Sequence, residues 1–292
     1  MNFLVIFSFQ FFLVQHAYST CQIGKFCGEC GLNFDFQQNR IVGGSEAVPH
    51  SWPSMVRIVF KYFFTLGGKV RVYSAVCGGT LIDNDTIITA GHCFIKYIYI
   101  ENLMIKVVPN KYHSTYGSMY KVYAGIHDIK EKSIPLEVFS FTQHPNYDEQ
   151  EYLNDIGVIR LKDELAFSTT IQPSCLPIKR ELDNPSLGNL NAWTLGWGLN
   201  DENEMSNKLM NVQLTLYDFQ ECRLFKKKME PSLQFKDSCV GDSGGPLFIK
   251  DILKGEEKFI LEGIVSYGLT DCGSNYPANM YHIKKRSPFA YT

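Results

Sequence analysis

Three residues of this chain have the side chains and settings that nucleophilic catalysis needs. Ser243 lies in Asp237-Ser238-Cys239-Val240-Gly241-Asp242-Ser243-Gly244-Gly245-Pro246-Leu247, His92 in Thr89-Ala90-Gly91-His92-Cys93, and Asp155 in Asn154-Asp155-Ile156-Gly157-Val158. A serine hydroxyl is a weak nucleophile until an imidazole can take its proton and a third group holds that imidazole in one tautomer. Glycine at 241, 244 and 245 permits a tight turn and close approach of a substrate to the main chain, and the segment runs directly into the apolar Leu247-Phe248-Ile249. Ser243 therefore reads as a nucleophile on a rigid loop that enters a strand. His92 closes one apolar run and Asp155 opens another, whereas His50, His113 and His127 lie in loop-like stretches and His144 precedes Pro145.

Gly241 to Gly245 also satisfies the G-x-S-x-G pattern of a nucleophile elbow on an α/β sheet, so the pentapeptide alone does not choose a fold. Chain order does. On that scaffold an acid and then a histidine follow the serine, and residues 244 to 292 contain only His282 and no alternation of helices with strands. The order His92, Asp155, Ser243 argues against a lipase or esterase of that type.

The elements that must position these residues are strands. Short β-branched and aromatic runs at Met55 to Phe60, Val70 to Val76, Thr86 to Thr89, Tyr120 to Tyr123, Leu136 to Phe141 and Ile156 to Leu161 are separated by turn residues. A second set comprises Ala192 to Trp197, Val212 to Leu216, Leu247 to Ile249, Phe259 to Val265 and Met280 to Ile283. This is an all-β chain, with two units joined near residues 165 to 180 and one helix expected after Asp218.

The 292 residues are 45% hydrophobic and 20% charged, an ordinary globular balance, and a net charge of -2 gives no case for nucleic acid or an anionic membrane. Lys226-Lys227-Lys228 and Lys284-Lys285-Arg286 read as solvated surface. The apolar run Phe3 to Val14, too short to span a bilayer, is followed by Ala17-Tyr18-Ser19. Residues 1–19 therefore read as a signal peptide and the product as secreted and extracellular. All nine cysteines (21, 27, 30, 77, 93, 175, 222, 239 and 272) lie beyond that point and are expected to pair in an oxidising compartment, one remaining odd. Cys27-Gly28-Glu29-Cys30 has a metal or redox spacing, but no second ligand pair sits at zinc-finger distance, so no metal is predicted.

Residues 20–40 form a short polar cysteine-bearing propeptide that ends at Arg40-Ile41-Val42-Gly43-Gly44, an exposed cleavable joint. Cleavage after Arg40 creates an ammonium on Ile41. A buried ion of that kind needs a carboxylate, and Asp242 is the candidate.

Taken together, Ile41-Val42-Gly43-Gly44, Cys77-Gly78-Gly79-Thr80-Leu81, the His92, Asp155 and Ser243 blocks, Gly196-Trp197-Gly198 and Ser266-Tyr267-Gly268 make the chain resemble a trypsin-like serine protease of the chymotrypsin family. The resemblance covers Ile41 to about Ile283. It implies two six-stranded antiparallel β-barrels with the active site in the cleft between them, in a domain of residues 41–292, with an N-barrel at about 41–165 and a C-barrel at about 175–285. It implies catalysis by His92, Asp155 and Ser243, an oxyanion hole of the Gly241 and Ser243 N–H groups, and no cofactor. Asp237 would floor a pocket for Arg or Lys, and Ser266 and Gly268 would pair with the substrate backbone. Protein or peptide substrates, an activating protease and protease inhibitors are the implied partners.

The same resemblance implies disulfides Cys77–Cys93, Cys239–Cys272 and Cys30–Cys175, the last tethering the propeptide after cleavage. Ala192 and Ile249 stand where relatives often carry a bonded cysteine pair. The chain departs from the pattern in three places. Cys222 lacks its usual partner because residues 223–238 contain no cysteine and no M-F-C-A-G-like segment; the usual C-terminal helix has no counterpart in Lys284 to Thr292; and Pro277-Ala278-Asn279-Met280-Tyr281 replaces Pro-Gly-Val-Tyr. The missing pocket segment supports an alternative, a catalytically impaired protease homologue acting as a binding protein or cofactor, although the usual mark of such a protein, loss of a triad residue, is absent. Insertions of about ten residues near Phe60 to Val72 and about twenty near Phe94 to Met119 are expected to overhang the cleft and narrow specificity. The Gly125-Ile126-His127-Asp128 loop lacks the glutamate of calcium-binding relatives, and Asn84-Asp85-Thr86 is a glycosylation sequon.

Overall fold

A computed structural model describes residues 30–31, 44–100, 102–177, 191–199, 204–217, 241–253, 255–267, 278–282 and 288–291. Among them every regular element other than two 3-10 turns, Gly91–Cys93 and Gly117–Met119, is a strand. No helix there is long and apolar enough to cross a membrane. The helix expected after Asp218 falls on residues 218–240, outside the described residues.

The strands in chain order are β1 (Ser45–Glu46), β2 (Met55–Leu66), β3 (Lys69–Leu81), β4 (Thr86–Thr89), β5 (Tyr97–Ile100), β6 (Leu103–Lys106), β7 (Tyr120–Ala124), β8 (Leu136–Gln143) and β9 (Gly157–Leu161). They continue with β10 (Asn191–Gly196), β11 (Met210–Tyr217), β12 (Pro246–Leu253), β13 (Glu256–Tyr267), β14 (Ala278–His282) and β15 (Pro288–Tyr291). Within the described residues, each run read as a strand from its β-branched and aromatic residues falls on one. Absent from the strands expected from sequence are β1, residues 61–66 of β2, residues 77–81 of β3, the β5–β6 hairpin and β15.

Strands β2-β3-β4-β9-β8-β7 close into a barrel. Its interior holds Val56, Ile58, Leu81, Ile87, Val122 and Ile159, all nearly inaccessible, because alternate residues of each strand point inward. In the C-terminal unit, β11-β10-β12-β13-β14-β15 form a continuous run, and β15 pairs back onto β11 through Leu216↔Tyr291 and Tyr217↔Ala290. The ring thus closes with the segment that showed no helical pattern. In the same ring Ala192 and Ile249 are register partners within an apolar cluster, so burial takes the place of a cross-strand bond.

The two units share one core. Trp52 stacks on Phe248 at 5.4 Å and meets Phe259 edge-on at 4.8 Å, within a cluster that also contains Met55, Ile88, Ala90, Trp193 and Trp197. Aromatic contacts of this kind add about 0.5–1.5 kcal/mol each beyond the area they bury. Two disulfides reinforce the arrangement. Cys77–Cys93 joins β3 to the turn after β4, and Cys30–Cys175 fastens the N-terminal segment to the C-terminal unit. Beside the second bridge, Gly31 accepts from Phe259 N–H at 2.9 Å and donates to Pro173 O at 3.0 Å.

Candidate active site

His92 sits in the 3-10 turn Gly91–Cys93, at the end of β4 and immediately before a half-cystine. Asp155 precedes β9, the strand that pairs with β4 through Thr89↔Gly157. Strand pairing therefore brings the two side chains together although the residues are 63 apart in sequence. Asp155 Oδ2 lies 2.8 Å from His92 Nδ1, and Asp155 Oδ1 accepts from the His92 backbone N–H at 2.8 Å. Asp155 is fully buried while the imidazole is 22% exposed. A buried carboxylate is tolerable only when its oxygens are satisfied, and a third donor completes that requirement: Ser266 on β13 gives its hydroxyl proton to Oδ2 at 2.5 Å.

Ser243 lies on the loop leading into β12. Its carbonyl oxygen accepts from Gly78 N–H of β3 at 2.7 Å, and the Cys93 sulfur is 3.8 Å from the same oxygen. Gly244 N–H bonds Val265 O at 2.8 Å, and Gly245 N–H bonds Asp242 O at 2.9 Å. Gly244 has φ +79, and a Cβ there would overlap Thr89 Oγ1, so backbone conformation and packing both require glycine. The serine loop is thus pinned between the two units, next to the turn that carries His92.

Asp242 points the other way. Its Oδ1 accepts from Gly198 N–H at 2.8 Å, and a Cβ on Gly196 would overlap that oxygen. Gly196-Trp197-Gly198 is therefore a glycine slot shaped around one carboxylate. Trp197 fixes the slot by donating its indole N–H to His127 O at 2.9 Å.

Several groups around the histidine gave no sequence signal. Gln143 donates to Gly91 O at 2.8 Å and accepts from Lys96 at 2.5 Å, bracing the His92 turn. The Tyr152 ring stands edge-on to His92 at 5.9 Å. Tyr120 accepts from Ile95 N–H at 2.9 Å beneath the same loop, and burial drives its phenol well above the ordinary range. The Tyr147 phenol is raised likewise, first by burial and then by the negative charge of Asp155. Among these neighbours only the strand-end position of His92 and Asp155 was legible from spacing. The Ser266 hydroxyl could not be, since it lies 111 residues from its partner.

Cys77, His92 and Cys93 present ligand-type atoms within 4.8 Å of one another, but the two sulfurs are bonded together and offer no thiolate. Of the other residues singled out in the sequence, Arg40, Ile41, Asp237, Gly268, Cys222, Cys239 and Cys272 lie outside the described residues. Ser266 is described, and its side chain faces Asp155.

A carboxylate, an imidazole and a serine loop held in this way can carry out acyl transfer: the carboxylate fixes the Nδ1–H tautomer, which leaves Nε2 free to accept a proton. Comparison with known proteins gives the same class. The sequence pattern of the trypsin family matches residues 41–287. Melanization protease 1 of Drosophila melanogaster is 30% identical over 267 residues, covering 84% of this chain and 62% of the relative. The proclotting enzyme of Tachypleus tridentatus is 32% identical over 250 residues, covering 82% and 62%. Phenoloxidase-activating factor 3 of Holotrichia diomphalia is 32% identical over 263 residues, covering 86% and 70%. The chain thus spans less than two thirds of the first and second of these proteins.

Proposed function

Because the chain belongs to the trypsin family of serine proteases, we propose that it is a secreted, active endopeptidase made as a zymogen, cleaved after Arg40 and hydrolysing peptide bonds after Arg or Lys. The observation that carries this reading is the Asp155 carboxylate, buried and bonded at once to the His92 ring, the His92 backbone and Ser266. Such an arrangement holds the imidazole in the tautomer and orientation that proton transfer needs.

The steps are those established for the family. Ser243 Oγ attacks the scissile carbonyl carbon while His92 Nε2 takes its proton, and the Gly241 and Ser243 N–H groups receive the oxyanion. A donor of that kind is worth roughly 3 kcal/mol. The C–N bond then breaks as the imidazolium protonates the leaving amine. Water, deprotonated by His92, releases the acid and restores Ser243. Asp237 selects the basic side chain by charge pairing, and Ser266 and Gly268 offer backbone groups to the substrate as an added strand.

In this reading residues 1–19 direct secretion and residues 20–40 are the propeptide, held by Cys30–Cys175 after cleavage, with the protease domain at 41–292. The Ile41 ammonium enters the Gly196–Gly198 slot and pairs with Asp242. An activating protease and protease inhibitors are the expected partners; the names of the relatives, a proclotting enzyme and a phenoloxidase-activating factor, suit a member of an activation cascade. Autoactivation is the further expectation, since Arg40 itself fits a basic-specific pocket.

The test is turnover of a fluorogenic Arg substrate after cleavage at Arg40, with Ser243→Ala as control. Ser243-dependent hydrolysis is expected. Absence of it would move the chain to the alternative, a protease homologue that binds without cutting, which the missing segment between Cys222 and Cys239 favours. Processing of an Arg40→Gln zymogen at Ile41 would rule out autoactivation.

A further inference from the structure

The two insertions meet each other. Asn110 donates its side-chain amide to Phe63 O at 2.7 Å, the Tyr112 ring lies 5.2 Å from Phe63, and the His113 ring stacks on Phe63 at 5.8 Å. Loop 107–119 thereby fastens to the outer half of the β2–β3 hairpin, and the two insertions make one surface.

Its composition follows from strand alternation. Register pairs Lys61↔Ser74, Phe63↔Val72 and Thr65↔Val70 put these side chains on one face, opposite the Tyr62 and Phe64 side that packs on the barrel core. On the outward face Val70 is 55% exposed, Val72 56% and Tyr112 45%. A cation stands on each flank: Lys61 two residues before Phe63, and Lys111 with its Nζ 4.9 Å from the Tyr112 ring centroid. Lys61 and Lys111 are the cations of this face; Arg71 and Lys69, register partners of Phe64 and Leu66, belong to the other side of the hairpin, and Lys121 is paired with Glu137 at 3.7 Å.

We infer that this face is a docking site, separate from the cleft, for an acidic segment of a polypeptide substrate that also carries apolar side chains. The inference rests on the endopeptidase reading above. Exposed aliphatic and aromatic groups bordered by lysines match a peptide with aspartate or glutamate beside an aromatic or aliphatic residue. A sulfated polysaccharide would instead engage a dense run of cations and leave the apolar centre uncovered. Strand β3 links the face to the chemistry, because it runs from Val70 and Val72 to Gly78, which bonds Ser243 O. At about 3.3 Å per residue, Val72 lies roughly 20 Å from that contact, so the acidic segment should sit about six to ten residues from the scissile bond.

The experiment uses the activated full chain and three synthetic substrates. One is a short fluorogenic Arg peptide. The other two are long peptides with a common Arg site, one carrying an Asp/Glu-Phe-Ile segment about eight residues away and the other a Gln/Ser segment. The acidic peptide should be cut with kcat/KM about tenfold higher, mostly through KM, and the advantage should shrink as salt is raised. Lys61→Glu with Lys111→Glu should abolish that advantage, Val70→Ser with Val72→Ser should reduce it severalfold, and both pairs should leave the short substrate within about twofold. Equal cleavage of the two long peptides, or an equal loss on the short one, overturns the proposal. Anisotropy of the labelled acidic segment with the Ser243→Ala protein separates the two readings. Saturable binding in a chain whose wild type turns nothing over would keep the surface and remove the protease; turnover without binding, or binding of heparin fragments but not of the peptide, would remove the surface.

Discussion

Ser266 and Asp155 are 111 residues apart in sequence, and in space a hydroxyl and a carboxylate oxygen are joined at 2.5 Å. Oδ2 serves both Ser266 and His92, so Ser266 acts on the imidazole through the carboxylate and is a positioning residue. Ser266→Ala removes one of three donors from a fully buried acid. A charge-assisted bond of this type contributes about 1.5–3 kcal/mol. The expected result is a loss of at least tenfold in kcat on a short Arg substrate with KM within about twofold. An unchanged kcat in Ser266→Ala would contradict the positioning role, since that variant keeps the backbone groups and removes only the hydroxyl on Asp155.

Gly196→Ala puts a methyl group onto Asp242 Oδ1. Under the proposed activation, the slot can then no longer hold both the carboxylate and the Ile41 ammonium. Cleavage at Arg40 should proceed, but the cleaved product should show activity lower by about a hundredfold or more, since a displacement of about 1 Å in a catalytic loop has that effect. N-terminal sequencing alongside the rate assay distinguishes failed cleavage from failed assembly.

Burial lowers the pKa of His113 below its usual 6.5. The sign follows directly: the unfolded histidine protonates first, so stability is intact above about pH 6.5 and declines as pH falls from there toward the folded pKa. The docking of residues 110–113 on Phe63 should therefore loosen in mild acid. Amide exchange at His113, corrected for its intrinsic pH dependence, should quicken below about pH 6.5 in the wild type and not in His113→Phe.

Deleting residues 288–292 should open the C-terminal barrel. The deletion removes the Leu216↔Tyr291 and Tyr217↔Ala290 pairs and strips one side of β14. Ladder bonds contribute about 1 kcal/mol each, so a loss of several kcal/mol is expected, together with self-association through the bared strand edges. Hydrogen exchange that left β11 and β14 protected in the truncated chain would contradict the closure.

What could be read beforehand divides along physical lines. The placing of His92 and Asp155 at strand ends and of Ser243 on a glycine turn was legible because such features leave marks in short stretches of sequence. Most strands were legible from runs of β-branched and aromatic residues. The contact of the Ser266 hydroxyl with Asp155, and the parts of Gln143 and Tyr152, were not, because they depend on pairings formed only in the folded chain, such as Val265↔Met280 and Thr142↔Val158. The strand β15 was missed for a related reason: Pro288-Phe289-Ala290-Tyr291 is too short and mixed to carry a period, and the unpaired edges of β11 and β14 make it a strand. The β5–β6 hairpin is absent from the strands expected from sequence although Ile98 and Ile105 face the core, and Tyr97-Ile98-Tyr99-Ile100 is a β-branched and aromatic run of the same kind as those that were legible.

The bond from Gly78 N–H to Ser243 O crosses from one barrel to the loop that feeds the other. It makes the proposed catalytic centre a coincidence detector for folding. A nascent chain that has completed only the first barrel owns the histidine and the aspartate, whereas a fragment of the second owns only the serine. Neither can cut anything, so every molecule able to do so has already passed a test of its own assembly.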